Sequence, residues 1–209
     1  MTSGSTTRLN RERDRLLTQT DSAREREQRR RTLRVRLAWL GALVLIGGLV
    51  TAALLSARPE TGTGADQATP FTLPLSDGGE VSLADYAGSP VLLYFNEGAG
   101  CDSCLMQMAA IEQNPDFAAA GIAVLPIVMN TAEQINADRD RLDVQAPFAL
   151  DDGVVSDAYG TLGTGMHAGL PGHGFVLIDA EGVQRWYGNY PSMWLDPAEL
   201  FEIVTAKLA

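Results

Sequence analysis

Residues 91–108, VLLYFNEGAGCDSCLMQM, constrain this chain more than any other stretch. An apolar run of strand length is followed by a glycine-bearing turn, and Cys101 and Cys104 then open a helical pattern. They are the only two cysteines in 209 residues and stand three apart. At a strand-to-helix junction the first thiol meets unpaired backbone N–H groups and the positive helix end, both of which stabilise a thiolate. The second lies one turn further in, within reach of a disulfide. Half of a zinc site is the competing reading, but four-ligand zinc sites carry a second Cys or His pair at short spacing. Only His167 and His173 exist here, far downstream. The pair therefore reads as redox-active.

Charge divides the chain. Residues 1–36 hold eleven Arg against five Asp or Glu (net +6), and from residue 59 onward four Lys or Arg face twenty-one acids (net −17). Arg58 closes the sum to −10. Residues 37–57 between them are uncharged, and a helix of that length spans roughly 31 Å, the thickness of a bilayer core. They are expected to form one transmembrane helix. Five arginines from Arg29 to Arg36, with Trp39 beside them, keep the N-terminal side cytoplasmic and place the acidic part outside the cell. A cleaved signal peptide competes with this, but its apolar run is usually shorter and no clean small-x-small site follows, so the expected anchor is uncleaved. Arg30 and Arg31 give only a faint twin-arginine pattern. Residues 1–36 lack the apolar surface for a core and read as a solvated, partly helical tail near anionic headgroups. Residues 58–70, rich in Gly, Thr and Pro, read as a tether, and residues 71–209 as one domain with its own core. A −17 domain repels nucleic acid and favours basic protein partners.

Within that domain, residues 71–75 and 80–83 flank a Ser-Asp-Gly-Gly turn and predict a β-hairpin. Val91 to Phe95 suits a central strand covered on both faces. The cysteine helix presents Leu105, Met108 and Ala109 on one face and is interrupted at Asn114-Pro115. A second buried strand falls at 121–129, a Thr-capped helix at 131–142, a short strand at 148–150 and a short helix at 154–159. A hairpin at 175–179 and 183–187 and a helix at 196–208 close the chain. This alternation predicts an α/β fold with a mixed sheet. Asp151-Asp152 reads as a turn. Trp186, Tyr187, Tyr190 and Trp194 read as packing around the closing hairpin, and Met106 and Met108 as core filler.

The order of hairpin, VLLYF, CDSC, helix, GIAVLPIV, ALDDGVVSDAYG, LPGHGFVLIDAEG and terminal helix resembles the thioredoxin-like redoxin families over about residues 68–209. These include the membrane-tethered TlpA-type thiol-disulfide oxidoreductases and the AhpC/TSA peroxiredoxins. The resemblance implies a thioredoxin fold, a mixed central sheet flanked by helices with an N-terminal hairpin extension, placed after the transmembrane helix. It also implies thiol chemistry outside the cytoplasm, where a working disulfide needs a membrane electron donor.

Peroxiredoxins place Pro seven and Thr or Ser three residues before the peroxide-attacking Cys; here those positions hold Tyr94 and Gly98. In thioredoxin-type sites the strand Phe precedes the first Cys by five residues; here Phe95 precedes Cys101 by six, with Gly100 in place of the familiar Trp. The resemblance thus favours disulfide exchange. Cys101 attacks a disulfide of another exported protein, such as a cytochrome c precursor, and Cys104 resolves it, with no cofactor beyond the pair itself. Negative charge at Glu97 and Asp102 raises the Cys101 pKa and predicts a reductant-like couple. The family's active-site loop carries a cis-proline, a role that falls to Pro171 and brings His173 towards the thiols, with less support for His167. Two alternatives stand beside this reading: a thiol peroxidase using Cys101, and a Sco-like copper-assembly factor with Cys101, Cys104 and His173 as soft ligands.

Overall fold

The computed structural model describes residues 3–56, 58–163 and 168–209, with the side chains of its first helix described from Arg29 to Leu55. Two compact units result, residues 1–56 and 57–209.

The first unit is one helix, α1 (Ser3–Ser56). Its Arg29–Leu55 portion, with a mean hydropathy of 2.2, is long and apolar enough to cross a membrane. The apolar side chains of that portion, Trp39, Leu43, Val44 and Leu49 among them, are exposed. Residues 3–36, expected as a partly helical tail, run as continuous helix, since a stretch rich in Arg, Glu, Gln and Leu has few helix breakers.

The second unit is built on a six-stranded mixed sheet in the order β1-β8-β7-β4-β5-β6. Its strands are β1 (Glu60–Thr63), β4 (Val91–Phe95), β5 (Ala123–Val128), β6 (Ala149–Leu150), β7 (Gly174–Ile178) and β8 (Gln184–Asn189). A separate hairpin pairs β2 (Thr72–Pro74) with β3 (Glu80–Ser82). Strand β4 is central because every residue in it is apolar: it pairs parallel with β5 and antiparallel with β7, and all five of its side chains are fully buried. Strand alternation sends Leu92 and Tyr94 to one face, with Leu105, Met108, Phe175, Leu200 and Val204. Val91, Leu93 and Phe95 go to the other, with Phe71, Leu73, Val81 and Val155.

Helices α2 (Asp102–Gln113), α3 (Pro115–Ala119), α4 (Ala132–Leu142) and α6 (Pro197–Leu208) supply buried side chains to the first face. The second face is covered by the β2–β3 hairpin and α5 (Val154–Ala158). Pro115 at the start of α3 and the Asn114 cap explain why the cysteine helix stops and restarts, and Thr131 with Gln134 forms a capping box on α4.

The expected tether is a sheet edge instead. Residues 60–63 pair antiparallel with β8, and the Gln184 N–H donates to the Asp66 carbonyl at 2.9 Å. Gly62 allows it, because the Tyr187 ring occupies the place of a Cβ there. A Gly/Thr-rich stretch resembles a linker locally, and only the partner strand reveals its pairing.

Candidate active site at the N-terminus of the cysteine helix

The site grows from the loop between β4 and α2. Asn96 Oδ1 accepts the Gly98 N–H (3.0 Å), Asn130 Oδ1 accepts the Ala99 N–H (2.9 Å), and Asp138 Oδ2 accepts the Gly100 N–H (2.9 Å). The Cys101 N–H then closes a turn onto the Gly98 carbonyl at 3.0 Å. Gly98 has a φ of 71°, and a Cβ there would run into the Asn130 side chain and Val128. The residue that replaces the family's hydroxyl is therefore glycine for a backbone reason.

Cys101 caps α2, and the N–H groups of Cys104 and Leu105 bond its carbonyl (3.0 and 3.3 Å). Cys101 and Cys104 form a disulfide with their Cα atoms 5.3 Å apart. Cys104 is fully buried and Cys101 partly exposed, so an incoming reagent meets Cys101. The Ser103 hydroxyl lies 3.6 Å from the Cys101 sulfur. As the first turn of a twelve-residue helix, this end favours negative charge on sulfur.

The electrostatic surroundings differ from the sequence expectation. Asp102 does not act as a lone negative charge, because the Arg141 guanidinium of α4 bonds both of its carboxylate oxygens and Asp138 as well. Hydrogen bonding to Arg141 holds the Asp102 carboxyl below its usual range. Asp138 is lowered first by the Gly100 N–H and then by Arg141, whose own pKa is raised by the two acids. Asp102 and Arg141 are exposed and Asp138 is half-buried, so the cluster orients more than it stabilises. Glu97 is partly buried in the loop before Gly98.

Behind the disulfide lies a buried polar chain. The Tyr94 hydroxyl is 3.1 Å from the Cys104 carbonyl and 3.0 Å from His173 Nδ1. Tyr94 also stacks on Phe175 with ring centroids 4.7 Å apart, while His173 meets both rings edge-on. His173 is buried, and desolvation pulls its pKa down to about 4; burial pushes Tyr94 well above its usual value. Thus His173 stands one hydroxyl away from the Cys104 backbone.

Pro171 does not have the family's cis geometry: no cis peptide bond occurs among the described residues, and Pro171 is held in an isolated bridge with Leu162. No group of three or more His, Cys, Asp or Glu able to hold a metal occurs among the described residues. His173 already spends Nδ1 on Tyr94. His167 lies outside the described residues. Met108 is core but Met106 is exposed, and Trp186 and Tyr190 are buried while Tyr187 and Trp194 are not. Asp151 is a buried cap, accepting from the Val155 and Ser156 N–H groups (3.1 and 2.8 Å).

Sequence reading passed over Tyr94, Ser103, Asn130, Asp138 and Arg141 as site residues. Only Ser103, lying between the cysteines, carried a local signal.

Residues 65–187 match a family model described as the AhpC/TSA family. A Mycobacterium tuberculosis protein carrying a peroxiredoxin name is 34% identical over 126 residues, covering 57% of this chain and 80% of that protein. Peroxiredoxin Bcp of Escherichia coli is 32% identical over 124 residues, covering 56% of this chain and 79% of Bcp. The crystal structure of peroxidoxin BcpB from Mycobacterium tuberculosis superposes with a TM-score of 0.57 at 16% identity, covering 70% of this chain and 96% of that one, a likeness of fold.

Proposed function

This chain is a member of the AhpC/TSA family, with the mixed α/β fold and thiol oxidoreductase character of that family, and on that premise we propose that it is a thiol peroxidase. Cys101 as thiolate attacks the peroxide: the O–O bond breaks, Cys101 becomes a sulfenic acid and the alcohol or water leaves. Cys104 then attacks the Cys101 sulfur, forming the disulfide and releasing water, and an external dithiol reduces the pair. The observation that carries this reading is a closed Cys101–Cys104 pair in which Cys101 is partly exposed and Cys104 buried, in a chain whose relatives are named peroxiredoxins. The Ser103 hydroxyl, 3.6 Å from the Cys101 sulfur, is a hydrogen-bonding group beside the attacking atom.

A second reading, disulfide exchange with an exported protein, is favoured by one specific feature. Position 98 cannot accept the hydroxyl side chain that peroxiredoxins place there, because its backbone is left-handed and Asn130 fills the space. In either reading we assign the apolar part of α1 to the bilayer, with the redox domain on the extracytoplasmic side, and electrons reach the pair from a membrane donor.

Stopped-flow peroxide consumption by the reduced full-length protein tests the choice. A peroxidase turns over hydrogen peroxide, loses all activity on Cys101→Ser, and on Cys104→Ser stops after one turnover with a sulfenic acid that dimedone traps. Absence of peroxide consumption, together with mixed disulfides to exported proteins captured on Cys101 in the Cys104→Ser variant, would instead establish the exchange reading.

A further inference from the structure

The loop that leads to the attacking sulfur has its own donors already engaged. The N–H groups of Gly98, Ala99 and Gly100 are taken by Asn96, Asn130 and Asp138, and the Cys101 N–H by the Gly98 carbonyl. The Arg141 guanidinium is taken up by the Asp102 and Asp138 carboxylates. Position 98 contributes no side chain, and its left-handed backbone with Asn130 alongside leaves no room for one.

Cys101 is the N-cap of α2, the position from which a side chain ordinarily accepts a first-turn N–H. Its sulfur makes no such bond. The donor that does reach it is the hydroxyl of Ser103, 3.6 Å away on the second residue of the helix. The direction of this bond is fixed: in the disulfide Cys101 has no S–H, so the serine O–H donates and the sulfur accepts. Cys101 and Ser103 are both half-buried, so both stand within reach of solvent.

We propose that the Ser103 hydroxyl is a catalytic hydrogen-bond donor to the peroxide oxygen that Cys101 attacks. The inference rests on the peroxidase reading and names the group that serves its first step. In the reduced chain a Cys101 thiolate is a stronger acceptor than a disulfide sulfur, so the bond from Ser103 strengthens. A peroxide oxygen approaching that sulfur comes within reach of the same hydroxyl, which turns about its own C–O bond. The thiolate attacks the terminal oxygen, and the S–O bond forms as the O–O bond breaks. The transferred oxygen keeps its hydrogen as the sulfenic acid, and the departing hydroxide or alkoxide takes a proton from water. Ser103 keeps its own proton throughout. Its part is to follow negative charge from sulfur to oxygen, a stabilisation that a reaction with a self-sufficient leaving group does not use.

The test compares the full-length chain in detergent micelles with and without Ser103→Ala. Both carry Cys104→Ala, so that Cys101 oxidation is the only sulfur chemistry and no new hydroxyl is introduced. Rates are read above the pH at which alkylation levels off, where Cys101 is fully thiolate in each. Two probes are used: hydrogen peroxide, followed by its consumption in a single turnover, and iodoacetamide, whose iodide leaves without a donor. Ser103→Ala is expected to slow the peroxide reaction at least about tenfold while alkylation changes by less than about twofold. Ser103→Thr, which keeps the hydroxyl, is expected to recover most of the loss. An unchanged peroxide rate in Ser103→Ala would overturn the proposal, and so would an equal loss with both probes, which is what a displaced sulfur gives. A chain with Ser103 intact that alkylates but leaves peroxide untouched would remove the peroxidase reading and the proposal with it, a result seen before any serine variant is made.

Discussion

His173 shows how one buried side chain links stability to the chemistry around it. Desolvation lowers its pKa from 6.5 to about 4, so the neutral ring is the folded form. A histidine whose folded pKa is depressed contributes stability that is complete above the unfolded pKa and lost as pH falls through the window between the two values. The loss is expected to approach roughly 3 kcal/mol by pH 4. Asp102, Asp138 and Asp179 are all lowered from 3.8, so their contributions disappear only beneath that window. Urea midpoints measured from pH 7 to 4 should therefore fall in the wild type and stay nearly level in His173→Gln; an equal slope in both would refute the assignment.

At the scale of elements, the active-site loop is held by residues from elsewhere in the chain. Asn130, ahead of α4, and Asp138, within it, each hold one N–H of the loop, and Arg141 ties α4 to Asp102 at the first turn of α2. None of these contacts has a local sequence signal, because they join positions 31 to 39 residues apart. Helix α5 shows the same principle on the opposite face of the sheet. Its N-cap is Gly153, which offers no side chain, so the buried Asp151 carboxylate takes over by bonding the Val155 and Ser156 N–H groups and the Ser156 hydroxyl (2.7 Å). Asp151→Ala should cost about 1–3 kcal/mol in thermal or urea unfolding, since it leaves buried donors unpaired. A change within a few tenths would show that water replaces the carboxylate.

For the whole molecule, the redox unit carries two core clusters, one on each face of the sheet, so it holds the apolar interior an independent domain needs. Removing residues 1–57 is expected to leave a fragment with an unchanged cooperative melt and unchanged Cys101 alkylation, while membrane association is lost in flotation assays. Loss of the cooperative melt would mean that the first helix is part of the fold. The family fold was readable in advance from the order of the motifs, and VLLYF as a central strand from its continuous apolar run. Strand β1 was not, because Glu60, Thr61, Gly62 and Thr63 carry no apolar alternation and pair only because β8 presents an open edge.

By itself the sequence determined what is local: a lone pair of cysteines three apart at a strand-to-helix junction, the elements with strong periodicity, and a 21-residue uncharged run beside an Arg-rich segment. Tertiary structure alone decided the environment of that pair. It buried Cys104, left Cys101 partly open, neutralised Asp102 with Arg141, and brought His173 to Tyr94 across 79 residues of chain. The physical reason is that hydrogen-bond geometry and solvent exclusion depend on which distant segments share a sheet face, and chain periodicity does not encode that partnership.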